Sequence, residues 1–161
     1  MKLDHAITEV QTAEADLGRR LRVIGERHAV EHDLYHLGHT LAKQCAEHLD
    51  QLAPLARKYG VEPEGPPADS PSLLEKARHK GAELLGRTEA AGLLLLDDLR
   101  DLYLCAQHAE IAWTILQQGA KAARDLELLE VVSKCHPETE ICAKWLRTRI
   151  KETSPQVLAT G

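Results

Sequence analysis

Between Leu3 and Ile24 the chain places Leu3, Ala6, Val10, Ala13, Leu17, Leu21 and Ile24 at steps of three and four residues. On an α-helix, turning about 100° per residue, that spacing forms one apolar stripe; a strand would need strict alternation. Three more segments repeat the pattern, and no alternating run or hairpin signal interrupts them. The chain is therefore all-α, and its shape follows from how long the connections are. The first helix spans about Leu3 to Arg27, weakening near Gly25. The second starts between Ala29 and Asp33 and ends at Tyr59–Gly60, with Pro54 expected to bend or break its last turns. The proline-rich stretch VEPEGPPADSPS cannot be helical. Ser72 and Glu75 then read as a capping box opening a short helix to about Leu85. A third long helix, capped by Thr88, runs to about Ala120, and a fourth from near Asp125 to about Thr153. Pro137 is expected to kink or split that last helix.

Short turns join the first pair and the last pair of long helices, whereas a long connection separates the pairs. That length lets the second and third helices run in the same direction. The expectation is one four-helix bundle over residues 1–153, with a short extra helix in the crossover and a flexible tail at 154–161.

Composition excludes several functions. The net charge of −5, with no basic stripe, argues against nucleic acid as a partner. Three Tyr, two Trp and no Phe make no platform for stacking bases. The longest apolar run, AAGLLLL, is too short to span a bilayer, and MKLDHAITEV has no signal-peptide pattern. Cys45, Cys105, Cys135 and Cys142 form no CxxC pair. A cytoplasmic protein with reduced thiols is the expectation.

Histidine is concentrated in ERHAVEHDLYHLGHTLAKQCAEHL, which holds His28, His32, His36, His39 and His48. Helical phase separates them. The core line of the second helix is Val30, Leu34, Leu37, Leu41, Cys45, His48, Leu52 and Leu55, with Gln44 at its edge. His48 alone faces inward; His28, His32, His36 and His39 are expected to look outward or sit near the turn. In the first helix Glu14 shares the stripe of Val10, Leu17 and Leu21. The third helix is apolar almost all round. There Asp97, Leu104, His108, Ile111 and Ile115 share one face, and Tyr103, Gln107, Glu110 and Thr114 the next. The fourth helix lines up Val131, Cys135, Glu138, Cys142 and Trp145, leaving His136 and Glu140 near the far side. Each helix thus offers an inward acid or histidine: Glu14, His48, Glu110 or His108, and Glu138. One such group buried unpaired costs several kcal/mol. One from each helix points to a shared cation, for which carboxylate and imidazole suit iron, manganese or zinc.

Several segments carry a resemblance. TAEADL at 12–17, HTLAKQCAEHLDQL at 39–52, AQHAEIAWTIL at 106–116 and LLEVVSKCHPETE at 128–140 resemble the ferritin-like superfamily. More narrowly, they are similar to its bacterial stress-response group typified by YciE and YciF. The resemblance implies a ferritin-like four-helix bundle and an iron- or manganese-binding role linked to oxidative or general stress. It maps the first metal-binding Glu to Glu14 and the third-helix pair to His108 and Glu110. A dinuclear ferritin-like site takes a Glu and a Glu-x-x-His from each half of the bundle. Here Gln44 stands where that pattern has Glu, with His48 four residues on, and the fourth helix offers His136, Glu138 and Glu140 around a proline.

Two readings follow. In one, the bundle binds metal through Glu14, His48, Glu110 and Glu138, with Gln44, His108, His136 and Glu140 as further ligands. In the other, a metal-free ferritin-like bundle serves as a structural or partner-binding module, with its acids satisfied inside the core. A homodimer is expected in either case. The outer histidines have the spacing for a surface metal site, as polar helix faces commonly do. No Gly-x-Ser-x-Gly or phosphate-binding loop suggests a hydrolase, no small-molecule substrate is legible, and Cys45 beside His48 reads as a buried structural thiol.

Overall fold

A computed structural model of the chain describes residues 2–65 and 89–160. Over those residues it contains four helices and no strand: α1 (Leu3–Arg27), α2 (His32–Lys58), α3 (Glu89–Ala123) and α4 (Leu126–Ala159). The short helix expected near 72–85 lies outside the described residues.

Contacts at the helix ends fix the topology. At one end Arg27 donates to both carboxylate oxygens of Asp98 at 2.9 Å, joining the end of α1 to the start of α3. Arg149, late in α4, donates to Glu31 at 2.9 Å at the start of α2. At the other end Lys58 and Tyr59 both donate to Asp125, joining the end of α2 to the start of α4. Asp125 also caps α4 by accepting from the Leu128 N–H at 3.1 Å. These ties make α2 and α3 parallel. That is the up-down-down-up connectivity the long connection suggested. α1 packs against α2 and α3; α4 packs closely against α3 and loosely against α2.

Glycines bring α1 and α2 together. A Cβ on Gly38 would stand 3.0 Å from the Leu21 carbonyl oxygen, and one on Gly25 3.5 Å from that of Leu34. Only a residue without a side chain permits so close an approach at Gly38. Across the bundle, Trp113, Leu17, Leu21, Leu52, Leu99, Leu116 and Leu146 are fully buried.

Proline breaks none of the helices. α2 continues through Pro54, and α4 through Pro137 and on through Pro155. Each proline is exposed, and so is the residue four before it: Asp50, Ser133 and Lys151. The carbonyl left without an N–H partner therefore faces water, which lowers the cost of the lost bond. The stretch after Thr153, expected to be a loose tail, is helical as far as Ala159.

Two helix faces are rotated from their expected phase. In α3 the buried line is Leu95, Leu99, Leu102, Ala106, Ala109, Trp113, Leu116 and Ala120. The parallel line Leu104, Ile111 and Ile115 is exposed. A helix apolar on nearly every side gives its phase away poorly, and the alanine-rich side allows the closer packing. In α4 the buried line passes through Val132, Cys135, Thr139, Cys142 and Leu146, so Thr139 takes the central place expected of Glu138. Val30, expected in the core line of the second helix, lies in the turn before α2 and is exposed.

Candidate functional site

The expected ligands fall into two separate clusters rather than one. The first lies on the bundle axis. Glu14 of α1 is fully buried, and its Oε1 accepts from Trp113 Nε1 at 2.6 Å and Thr139 Oγ1 at 2.8 Å. His48 of α2, also buried, brings Nδ1 to 3.2 Å from the same oxygen. That approach is off the line of a hydrogen bond, so charge holds the pair together; His48 Nδ1 and Glu14 Oε2 have no hydrogen-bond partner. On its other side His48 Nε2 meets Glu138 Oε2 at 3.4 Å, and the Glu138 side chain is 41 % exposed. Glu14, His48 and Glu138 thus form a row from the bundle axis to its surface.

The charges in that row sustain each other. Burial works against ionising Glu14, but the adjacent His48, Trp113 and Thr139 together hold its pKa below the usual carboxylate range. Burial likewise opposes protonation of His48, and Glu14 and Glu138 outweigh it, raising the imidazole pKa. Cys45, Cys135 and Cys142 lie close enough to feel the Glu14 charge. Burial and that charge push Cys135 and Cys142 up to about 12, and Cys45 well above its ordinary value. These thiols stay protonated and are poor nucleophiles, as expected for Cys45.

The second cluster lies in the groove between α3 and α4. His136 Nε2 stands 2.9 Å from Glu110 Oε1 and 3.3 Å from Glu140 Oε1. One ligand atom from each of the three residues lies within 4.8 Å of the others. Thr114 donates to Glu110 and lies 3.4 Å from His136 Nε2. Glu110 and Thr114 are one turn apart on α3, and His136 and Glu140 one turn apart on α4, so helix geometry alone presents the group. Among the described residues this is the one set of three histidine, cysteine or acidic groups so closely gathered. His136, expected near the far side of its helix, is buried. α4 is helical without interruption through Pro137, so His136 and Glu140, one turn apart, lie on the same side of it.

The other candidates lie elsewhere. His108 is 54 % exposed and stands 3.9 Å from Glu9, well outside the core, because its α3 face is the solvent face. Gln44 is half-buried on α2 and enters neither cluster. Of the four histidines expected to look outward or sit near the turn, His28 lies in the turn between α1 and α2, buried against Asp98 at 2.7 Å. His39 stands 3.2 Å from Glu26, while His32 and His36 are exposed. Sequence reasoning missed Trp113 and Thr139 as partners of Glu14. A tryptophan in an apolar line was the available signal, since a buried indole N–H needs an acceptor.

A dinuclear ferritin-like site does not fit this arrangement. Glu14 and Glu110 lie in different clusters, and one oxygen of Glu14 is already held by Trp113 and Thr139. No protein-family model matches the chain, and no curated protein or solved structure matches it.

Proposed function

We propose that this bundle is a metal-binding protein holding one divalent transition-metal ion at Glu110, His136 and Glu140. The observation that carries this reading is the spacing about His136 Nε2. Ligands about 2.1 Å from one ion lie roughly 3.0–3.4 Å apart in octahedral or tetrahedral coordination. The two carboxylate oxygens stand 2.9 and 3.3 Å from that nitrogen. An ion would replace any proton on Nε2 and be neutralised by the two carboxylates. Thr114 would steady Glu110, the role that partners of metal ligands commonly play. Iron and manganese are favoured by the ferritin-like resemblance, as is a role in stress; imidazole with two carboxylates suits zinc as well. The parallel α2 and α3 agree with a ferritin-like bundle, and the exposed Leu104, Ile111 and Ile115 give the expected homodimer an apolar face.

Metal analysis of protein produced with iron, manganese and zinc in turn tests the site. About one equivalent of bound metal is expected, and it should be lost in His136→Ala combined with Glu140→Ala. Protein free of metal under all three conditions defeats the reading.

The second reading is a metal-free bundle, and one observation favours it. Glu110, His136 and Thr114 already satisfy one another by hydrogen bonds of 2.9–3.4 Å. It predicts that none of the three metals raises the melting temperature.

A further inference from the structure

The cluster of Glu110, His136 and Glu140 opens onto a groove of about 200 Å³ between α3 and α4. Glu110 and Glu140 form part of its wall. The rest is lined by Tyr103 and Gln107 from α3 and by Ala143, Lys144 and Arg147 from α4. Glu140, Lys144 and Arg147 follow at steps of four and three residues, so all project along the same side of α4. Among the described residues, neither Lys144 nor Arg147 has a carboxylate within ion-pair distance. Lys144 does not close on Glu140 four residues before it, although that spacing suits a pair.

The geometry points to a binding site for a small oxyanion, a phosphate or carboxylate, held between the metal at Glu110, His136 and Glu140 and the cations Lys144 and Arg147. This rests on the metal reading above and adds the class of ligand. The charges decide it. The two carboxylates alone would repel an anion, whereas a divalent ion cancels them and leaves the two groove cations in excess. Three protein ligands also leave coordination positions open, and an oxyanion oxygen fills one. Arg147 offers a planar fork for two oxygens, and Lys144 a compact charge. Tyr103 and Gln107 supply neutral donors on the opposite wall. The groove has room for an anion of phosphate or small dicarboxylate size.

Calorimetry on the full chain tests this with Mn²⁺, inorganic phosphate and malonate as probes. Mn²⁺ is titrated first, then each anion into metal-free and Mn²⁺-loaded protein. At least one anion is expected to bind the loaded protein tenfold or more tightly than the metal-free protein. A preference for phosphate or for malonate tells the two sources of the oxyanion apart. Lys144→Ala with Arg147→Ala should weaken the anion at least tenfold and change Mn²⁺ affinity by less than about twofold. Both substitutions are at exposed positions, so the fold should persist. Normal Mn²⁺ binding overturns the anion site alone in two cases: neither anion distinguishes loaded from metal-free protein, or the double variant binds as wild type. Failure of Mn²⁺, iron and zinc all to bind overturns the metal reading and this inference together.

Discussion

Each helical hairpin of the bundle has its own glutamate–histidine pair, and the two pairs have opposite settings. Glu14 and His48 join α1 to α2 at 3.2 Å on the bundle axis, both wholly buried. Glu110 and His136 join α3 to α4 at 2.9 Å, with His136 buried behind a groove that Glu110 helps to line. The chemistry is the same and the dielectric surroundings differ. In the axial pair, desolvation is large and the partners must offset it, so removing either leaves an uncompensated buried charge. In the groove pair, water screens the charges, and the third group, Glu140, is free to share a cation. The axial pair is suited to holding the fold together, the groove pair to exchanging a ligand.

The largest expected difference is in stability. Glu14→Ala strands His48, the Trp113 N–H and the Thr139 hydroxyl, and should cost about 3–5 kcal/mol. Glu110→Ala leaves His136 with Glu140 as its carboxylate partner and should cost less, about 1–2 kcal/mol. Urea denaturation of both variants checks this, and equal losses would erase the distinction. Metal sharpens it from the other side. With free Mn²⁺ at a hundred times its dissociation constant, wild type should gain about 2.7 kcal/mol. For a chain this long that is roughly 5–10 °C in melting temperature. His136→Ala should lose the gain, and His48→Gln should keep it, from whatever baseline each variant starts. A gain that depends on His48 instead would move the site to the axis. Next in size is the pair of threonines. Thr139→Val removes a donor from a buried carboxylate and should cost about 1.5–3 kcal/mol, whereas Thr114→Val should cost clearly less. Differential melting of the two proteins decides it.

The smallest effect is in pH dependence. The folded pKa of His48 is raised above 6.5, so its contribution is complete below pH 6.5 and fades as pH rises through the raised value. Glu14 is lowered below 4.5, so its contribution is present above pH 4.5 and is lost as pH falls through the lowered value. The axial pair should therefore stabilise most between those limits. Melting temperature should be lower at pH 8.5 than at pH 6, and His48→Gln should flatten that slope. An unchanged slope would remove His48 from the account.

Much of this was legible in the sequence, for identifiable reasons. Helix bounds followed from apolar spacing, and the parallel α2 and α3 from the long connection. Glu14 and His48 could be placed inside because each sits in an unambiguous stripe of larger apolar residues. Helix α3 resisted because Leu104, Ile111 and Ile115 offered a second stripe as apolar as the buried one. His108, on that stripe, is expected inward as the alternative to Glu110, whereas it faces solvent. His136 is expected on the far side because the apolar spacing runs the buried line of the fourth helix through Val131, Glu138 and Trp145; the observed line, through Val132, Thr139 and Leu146, is one residue on and carries His136 inward. Convergence was the harder matter. Helical phase tells which way a residue points but not how high it stands on a neighbouring helix, so the expected single site separates into two.

The connections of Glu14 also set an order of events in folding. Its hydrogen-bond donors, Trp113 and Thr139, lie 99 and 125 residues along the chain. Each hairpin can form from local contacts first, whereas these two bonds wait until the halves dock. Until that moment the carboxylate keeps at least part of its water. Docking removes the water and supplies the indole and hydroxyl in one step, so the assembly of the two halves, rather than the growth of any helix, is when this chain takes a charge out of solvent.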